Sequence, residues 1–112
     1  MPASNVHVLN ARPPRANHLI RLIRELLDRG KVSYSYHAEQ ERMFERGIDF
    51  FDVEAVLRFG DIEGTVRPGN RAGEWQSLVI GKPELDSREM GVAAIVVRRD
   101  RLIVKTVEWI DP

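Results

Sequence analysis

The sequence predicts an α+β fold in which three N-terminal helices are followed by a small antiparallel sheet of three to four strands. Apolar residues recur at helical spacing in the first half of the chain. The second half instead consists of short runs rich in Val, Ile, Thr and Trp, separated by Pro, Gly and Asn. A length of 112 residues corresponds to one domain. We therefore divide the chain into a flexible leader, residues 1–15, and a single α+β domain, residues 16–112.

The first predicted helix has a complete apolar stripe. The stripe consists of Leu19, Leu22, Ile23, Leu26 and Leu27. Asn17 is the expected N-cap, and Gly30 is the expected left-handed residue that ends the helix. The next segment, residues 32–36, is either a brief strand or an extended connection.

Two further helices are predicted before the spacing of apolar residues changes from helical to strand-like. Residues 37–46 form the second helix, which stops at Gly47. Asp49 is the expected N-cap of the third helix, which runs to Phe59 because apolar residues again recur at helical spacing. Three consecutive helices therefore occupy the first half of the domain.

The β-forming runs of the second half are each bounded by turn-forming residues. Segment 98–101 has the length of a tight hairpin turn. The predicted strands are residues 65–67, 74–81, 91–98 and 102–109. Helices followed by such an antiparallel meander give an α+β fold.

The overall composition excludes several classes of function. The chain has 17 Lys and Arg against 17 Asp and Glu, so it lacks the positive field of a protein that coats nucleic acid. It has no Cys, which excludes disulfides, thiolate catalysis and Cys-ligated metals. Its longest apolar run, residues 92–97, is too short for a membrane span. We expect a cytoplasmic protein without a membrane partner.

Charge is nevertheless distributed unevenly along the chain. Residues 1–31 carry six basic and two acidic side chains, residues 32–63 carry three and eight, and residues 64–112 carry eight and seven. Arg outnumbers Lys by 14 to 3, which suits bidentate phosphate recognition but also follows from the codon usage of a GC-rich genome. The acidic middle segment predicts either a face for a basic partner or charge pairing within the molecule.

His37 and Glu41 are the first candidate pair. Their spacing places the carboxylate one helical turn from the ring, where it favours a general acid or base role. The same pair is also consistent with a histidine that only packs and hydrogen-bonds. No third ligand accompanies them, so we expect neither a metal nor another cofactor.

Arginine and glutamine supply further candidates. Arg42 and Arg46 are predicted on one helical face, where like charges are unfavourable unless an acid or a phosphate lies beside them. Arg67 and Arg71 lie in or beside a turn just before Gln76. Such a group next to a tryptophan is a reasonable nucleic-acid surface.

Lys105 lies in the last predicted strand. Strict alternation places it on the same face as Ile103, Val107 and Trp109. A lysine among large apolar groups would stabilise developing phosphate charge more strongly than it would in water. The alternatives are a lysine that protects a sheet edge or one that extends to solvent.

Several motifs resemble DUF4258, a bacterial domain family of unknown function. They are His37-Ala38, Glu41-Arg42-Met43, Glu45-Arg46-Gly47-Ile48 and Asp52-Val53-Glu54-Ala55-Val56-Leu57. More distantly, the run from Leu19 through Gly30-Lys31-Val32 to Gly47-Ile48-Asp49-Phe50, with Trp75-Gln76 downstream, resembles MqsR-type toxins, which are small mRNA interferases with a RelE-like fold. The similarity covers about residues 17–110.

The resemblance implies a toxin-like, metal-independent endoribonuclease, in which the ribose 2′-hydroxyl attacks the adjacent phosphate. It implies RNA as a partner, either free mRNA or mRNA on the ribosome, and a cognate antitoxin of zinc-ribbon and helix-turn-helix type. Gln76 matches the strand glutamine of the toxins, and Lys105 falls near their last basic residue. The expected catalytic residues are His37, Arg42, Gln76 and Lys105. The expected phosphate contacts are Arg46, Arg67 and Arg71.

A second hypothesis belongs to a different class. Ala93 and Ala94 lie near the position of the toxins' catalytic tyrosine, and residues 62–65 lack the toxins' lysine. His37 or Arg67 would have to substitute for these groups. The alternative is a non-catalytic interaction module of the same fold that binds a neighbour-encoded regulator.

Overall fold

A computed structural model describes residues 12–83 and 88–110 of the chain. Helices pack against one face of a sheet, and the core lies between these two layers. The α+β class is therefore confirmed. The predicted leader lies largely outside the described residues.

The helices precede most of the strands, as predicted. In chain order the elements are α1 (Ala16–Asp28), β1 (Val32–Tyr34), a π-helix (His37–Met43), α2 (Phe44–Arg46), α3 (Phe50–Phe59), β2 (Asp61–Pro68), β3 (Glu74–Gly81), β4 (Met90–Val97) and β5 (Arg101–Trp109). The prediction for β3 is correct at both ends, and those for β4 and β5 differ by one residue. Strand β2 begins four residues before the predicted run.

The described residues form a five-stranded mixed sheet in the order β1-β5-β4-β3-β2. Strands β2 to β5 form the expected antiparallel meander. The expectation of three to four antiparallel strands is wrong at β1, which pairs in parallel with β5 through Val32 and Leu102. Residues so distant in sequence leave no local pattern that would predict their pairing.

Helix α1 buries four of the five residues of the predicted apolar stripe against the sheet, while Leu22 is only partly buried and Ile20 is buried in addition. Its buried residues are Leu19, Ile20, Ile23, Leu26 and Leu27. The N-cap is Arg15 rather than Asn17, because the Arg15 carbonyl already accepts the backbone N–H groups of His18 and Leu19, both at 3.0 Å. Gly30 has the expected left-handed conformation, with a φ of 69°.

Helix α3 is fixed at both of its ends. Asp49 is the N-cap as predicted, and its carboxylate accepts the Asp52 N–H at 2.9 Å while Asp52 accepts the Asp49 N–H at 3.1 Å. At the other end, Arg24 of α1 donates to the Gly60 carbonyl at 2.8 Å. This contact satisfies a helix-terminal acceptor and ties α1 to α3.

The second predicted helix is not a regular α-helix. Most of it is a seven-residue π-helix, and the Phe44 N–H donates to the Glu39 carbonyl five residues earlier. Gly47 ends the following α2 with a φ of 67°, as expected. A π-helix is rare in proteins, and its wider turn is not visible in the apolar period of the sequence.

Tyr34 makes the stability of the folded domain depend on pH in the alkaline range. Its ring meets Phe50 edge-on at 4.6 Å, and burial, followed by the charges of Glu54 and Glu39, raises the pKa of Tyr34 from 10.0 to about 12. Between these values the unfolded chain has lost the phenol proton and the folded chain retains it, so stability falls as the pH rises. We expect the free energy of unfolding measured in urea to fall more from pH 9.5 to 11.5 in wild type than in Tyr34→Phe. Equal pH dependence in both proteins would contradict this expectation.

Candidate active-site cleft on the open sheet face

The face of the sheet opposite the helices carries a cleft of about 350 Å³. Gln76 and Leu78 of β3 face this side because the intervening Ser77 and the following Val79 are buried. The cleft is lined by Glu63, Arg67, Gln76, Leu78, Ala93 and Lys105, among other residues. It therefore combines a carboxylate, two cations and an amide above a floor of small and apolar groups.

Two irregularities in strand pairing frame the cleft. In β2 the register shifts between Glu63 and Arg67, which pair with Leu78 and Gln76 of β3. In β5 the shift occurs opposite the step from Ala93 to Ala94 of β4. Both shifts lie at the same level of the sheet, on either side of β3 and β4. Bulges redirect side chains and are frequent beside active sites.

The bulge in β5 corrects the prediction for Lys105. Val104 pairs with Ala94 and Thr106 pairs with Ala93, so Lys105 is the extra residue and the alternation changes phase there. Val107 and Trp109 consequently pack against the core with the helices. The expectation that they share the face of Lys105 is wrong, because strict alternation cannot anticipate an inserted residue.

Ser35, which directly follows β1, holds this bulge. Its N–H donates to the Val104 carbonyl at 2.9 Å, and its hydroxyl donates to the Lys105 carbonyl at 2.8 Å. The same hydroxyl accepts the Ala38 N–H at 3.0 Å. One serine therefore connects the backbone at Lys105 with the first turn of the π-helix.

His37 belongs to a second arrangement, which we call the histidine cluster: His37, Glu41 and Arg42. His37 Nδ1 donates to Glu41 Oε2 at 2.6 Å, and Arg42 Nε donates to His37 Nε2 at 3.3 Å. The i→i+5 closure of the π-helix is what brings Arg42 to the ring together with Glu41. The His37 side chain is 47% exposed. The ring is thus oriented at both nitrogens on an open surface.

The structure separates the predicted site residues into groups. Arg67, Gln76 and Lys105 come together in the cleft. His37 and Arg42 come together in the histidine cluster and do not line the cleft. Arg46 lies exposed at the end of α2, and Arg71 lines a separate hollow near the β4–β5 turn.

Glu63 is a cleft residue that the sequence reasoning missed. The strand predicted from the sequence begins at residue 65, so Glu63 lies outside it. Its pairing with Leu78 places it in β2 beside the cleft. The run Asp61-Ile62-Glu63 opposite Leu78-Val79-Ile80 was the only available signal, and it depends on the hairpin register.

The family comparison covers both arrangements. The family model described as "Domain of unknown function (DUF4258)" matches residues 34–109. The chain belongs to the DUF4258 family. The matched region begins in β1 and includes the histidine cluster and every strand that lines the cleft. No curated protein and no solved structure matches the chain.

The DUF4258 domain also exposes aromatic side chains that the sequence reasoning did not single out. Phe44 is 83% exposed and Phe51 is 79% exposed. A groove of about 250 Å³, the aromatic groove, contains Phe44 and is also lined by Phe50, Met43, Ile48, Glu39 and Asp49. In the described ranges, no helix is long and apolar enough to cross a membrane.

Proposed function

We propose that this DUF4258 domain is a toxin-like, metal-independent endoribonuclease whose active site is the cleft on the open sheet face. The observation that carries the proposal is the gathering of Arg67, Gln76 and Lys105 with the Glu63 carboxylate in one concave site. The distant resemblance to MqsR-type and RelE-like toxins supports the same reaction class.

The side chains of the cleft match the needs of an internal transesterification. The Glu63 carboxylate accepts the proton of the ribose 2′-hydroxyl, whose oxygen then bonds to the adjacent phosphorus. Arg67 and Lys105 stabilise the negative charge that develops on the phosphoryl oxygens. The P–O5′ bond breaks, Lys105 supplies the proton to the 5′ oxygen, and the products are a 2′,3′-cyclic phosphate and a 5′-hydroxyl.

Gln76 and the histidine cluster have supporting roles in this proposal. Gln76 pairs with Arg67 across β2 and β3, so its amide is placed to orient the RNA in the cleft. His37 and Arg42 lie on the element that Ser35 connects to the backbone of Lys105. There they present a cation and an imidazole to an RNA strand that leaves the cleft on the β5 side.

The proposal is tested with oligonucleotides that contain one ribose in an otherwise 2′-deoxy strand. Purified protein in EDTA is expected to cut only on the 3′ side of that ribose and to leave a cyclic phosphate, which mass spectrometry detects. The all-deoxy strand is the control. An intact ribose-containing strand under conditions where the protein binds it would overturn the enzymatic proposal.

The aromatic groove supports a second function, the docking of a partner protein. Contiguous exposed apolar patches mark interaction surfaces, and Phe44 and Phe50 are both exposed and line this groove together. Glu39 and Asp49 line the groove and form no ion pair among the described residues. An acidic rim around an apolar floor is complementary to a basic amphipathic helix. We propose such a helix of a neighbour-encoded antitoxin or regulator as the occupant.

Phe44→Ser should abolish this docking without unfolding the domain, because most of the Phe44 ring is already in water. The probes are two synthetic helical peptides with leucine at i, i+3, i+4 and i+7, one with lysine and one with glutamate at the remaining positions. We expect the lysine peptide to bind wild type in a fluorescence anisotropy titration and to lose affinity for Phe44→Ser. Phe59→Ser is the matched control, since Phe59 is equally exposed at the far end of α3. Equal binding of the lysine and glutamate peptides would contradict the proposed charge complementarity.

A further inference from the structure

The β4–β5 turn carries two consecutive arginines in a left-handed conformation. Arg98 has a φ of 52° and Arg99 a φ of 60°, and the Asp100 N–H donates to the Val97 carbonyl at 3.0 Å. Positive φ at both central positions is the signature of a type I′ turn, where Asn-Gly is the favoured pair. Arginine at both positions is strained, and such strain persists only where the surrounding structure holds the backbone in place.

Arg98 faces a hollow of about 280 Å³ that we call the arginine hollow. Arg71 and Arg101 line it with Arg98, together with the carboxylates of Glu74 and Asp100. Within residues 12–83 and 88–110, none of these three arginines forms an ion pair. The hollow therefore has more positive than negative groups, and its guanidinium groups are available to a ligand.

Gly73 holds Arg98 in place at the edge of this hollow. The Arg98 N–H donates to the Gly73 carbonyl at 2.8 Å. A Cβ on residue 73 would lie 3.2 Å from Arg98 Cγ, so the absence of a side chain leaves room for the arginine stem. The β2–β3 connection and the β4–β5 turn thus position Arg98 together.

The arginine hollow continues the cleft along the same face of the sheet. Glu74 and its partner Val97 line the hollow, while Gln76 and its partner Ile95 line the cleft. A step of two residues along a strand keeps the same face and covers about 7 Å. An extended polymer bound in the cleft can therefore reach the hollow directly.

We infer that the arginine hollow binds phosphates of single-stranded RNA next to the phosphate that is cleaved. This inference rests on the proposed function, because the cleft defines where the strand begins. Guanidinium groups bind phosphate oxygens in pairs of parallel hydrogen bonds, and three of them converge here on the path of the strand. The hollow sets the length of RNA that binds well, and the cleft performs the chemistry.

Arg98→Asn tests the hollow because it changes stability and binding in opposite directions. Asparagine tolerates the left-handed conformation and removes the charge. We expect the urea midpoint to rise, the affinity for a ten-nucleotide 2′-deoxy strand to fall roughly fivefold, and the slope of log K against log salt to lose about 0.7. The deoxy strand is not cleaved, so binding is measured without turnover.

Arg99→Gly is the matched control. It relieves the same kind of strain one residue further on and removes the same charge, but Arg99 lines a different depression with His18 and Trp75. We expect this variant to gain stability and to keep its affinity for the strand. Unchanged affinity in Arg98→Asn, or equal losses in both variants, would overturn the assignment of the hollow.

Further measurements separate failure of the hollow from failure of the cleft. Wild-type cleavage of a dinucleotide, which spans only the cleft, measures the chemistry without any contribution from the hollow. If wild type cleaves nothing and Arg98→Asn still weakens binding of the strand, the proposed function fails and the hollow stands. Binding of polyglutamate but not of the nucleic acid, lost in Arg98→Asn, would overturn the inference in favour of an acidic protein partner.

Discussion

Lys105→Ala is expected to lower the rate of RNA cleavage about 100-fold to 1,000-fold, the usual effect of removing a group that stabilises transition-state charge. Lys105 is the extra residue of the β5 bulge, and Ser35 fixes its backbone so that its side chain lines the cleft. The loss should appear in kcat, because the ammonium acts on charge that develops during the reaction. Single-turnover cleavage of the oligonucleotide with one ribose measures this effect.

Lys82→Ala is the matched control for this experiment. Lys82 is also an exposed lysine, directly after β3, but it does not line the cleft. The Lys82→Ala variant should cleave RNA at the wild-type rate, and both variants should keep the wild-type melting temperature. Wild-type cleavage by Lys105→Ala would remove Lys105 from the active site, whereas equal losses in both variants would indicate a general effect of charge.

Gly60→Ala is expected to destabilise the domain by about 3 kcal/mol or more, as overpacking of a site without room to relax does. Gly60 ends α3, and its φ of −83° suits any residue, so the effect is steric. An added Cβ would lie 2.5 Å from the Ile80 carbonyl oxygen and 2.6 Å from that of Val56. Both obstacles are backbone atoms, which cannot move without separating α3 from β3.

Gly30→Ala separates this steric effect from a conformational one. Gly30 has a φ of 69°, and apart from Gly30 and its chain neighbours no atom is found within 4 Å of the position of an added Cβ. Its replacement should cost only about 1 kcal/mol, the usual penalty for a left-handed residue with a side chain. Urea unfolding of the two variants measures the difference. If Gly60→Ala loses no more stability than Gly30→Ala, the backbone around residue 60 moves to accommodate the added Cβ, which would contradict the steric argument.

Local sequence patterns predicted most of the secondary structure. The stripe of α1, the Asp49 cap of α3 and the runs of β3 to β5 depend on side chains close in the chain, so a window of ten residues contains the necessary information. The parallel partner of β1 and the π-helix were missed for the opposite reason. One depends on residues about 70 positions apart, and the other on a backbone hydrogen-bond pattern that leaves no distinct period.

The candidate site was predicted in part. Arg67, Gln76 and Lys105 were selected as residue types able to hold a phosphate, and the structure places all three in one cleft. Glu63 was missed because it becomes a cleft residue only through its pairing with β3. Arg71 was selected for the same site but lies in the arginine hollow. Residue type selected the candidates, and strand register decided which of them share the cleft.

The sequence by itself determined the α+β class and the DUF4258 membership. It also determined that the basic and acidic residues are equal in number but unevenly distributed along the chain. These properties follow from composition, local period and motif, which do not require long-range contacts. Only the tertiary structure decided where the charges meet. Two register shifts at one level of the sheet frame the cleft. The β2–β3 connection, the strained β4–β5 turn and the start of β5 each contribute one arginine to the hollow beside it. Such features depend on backbone hydrogen bonds between distant strands, and one inserted residue is enough to move a side chain from one face to the other.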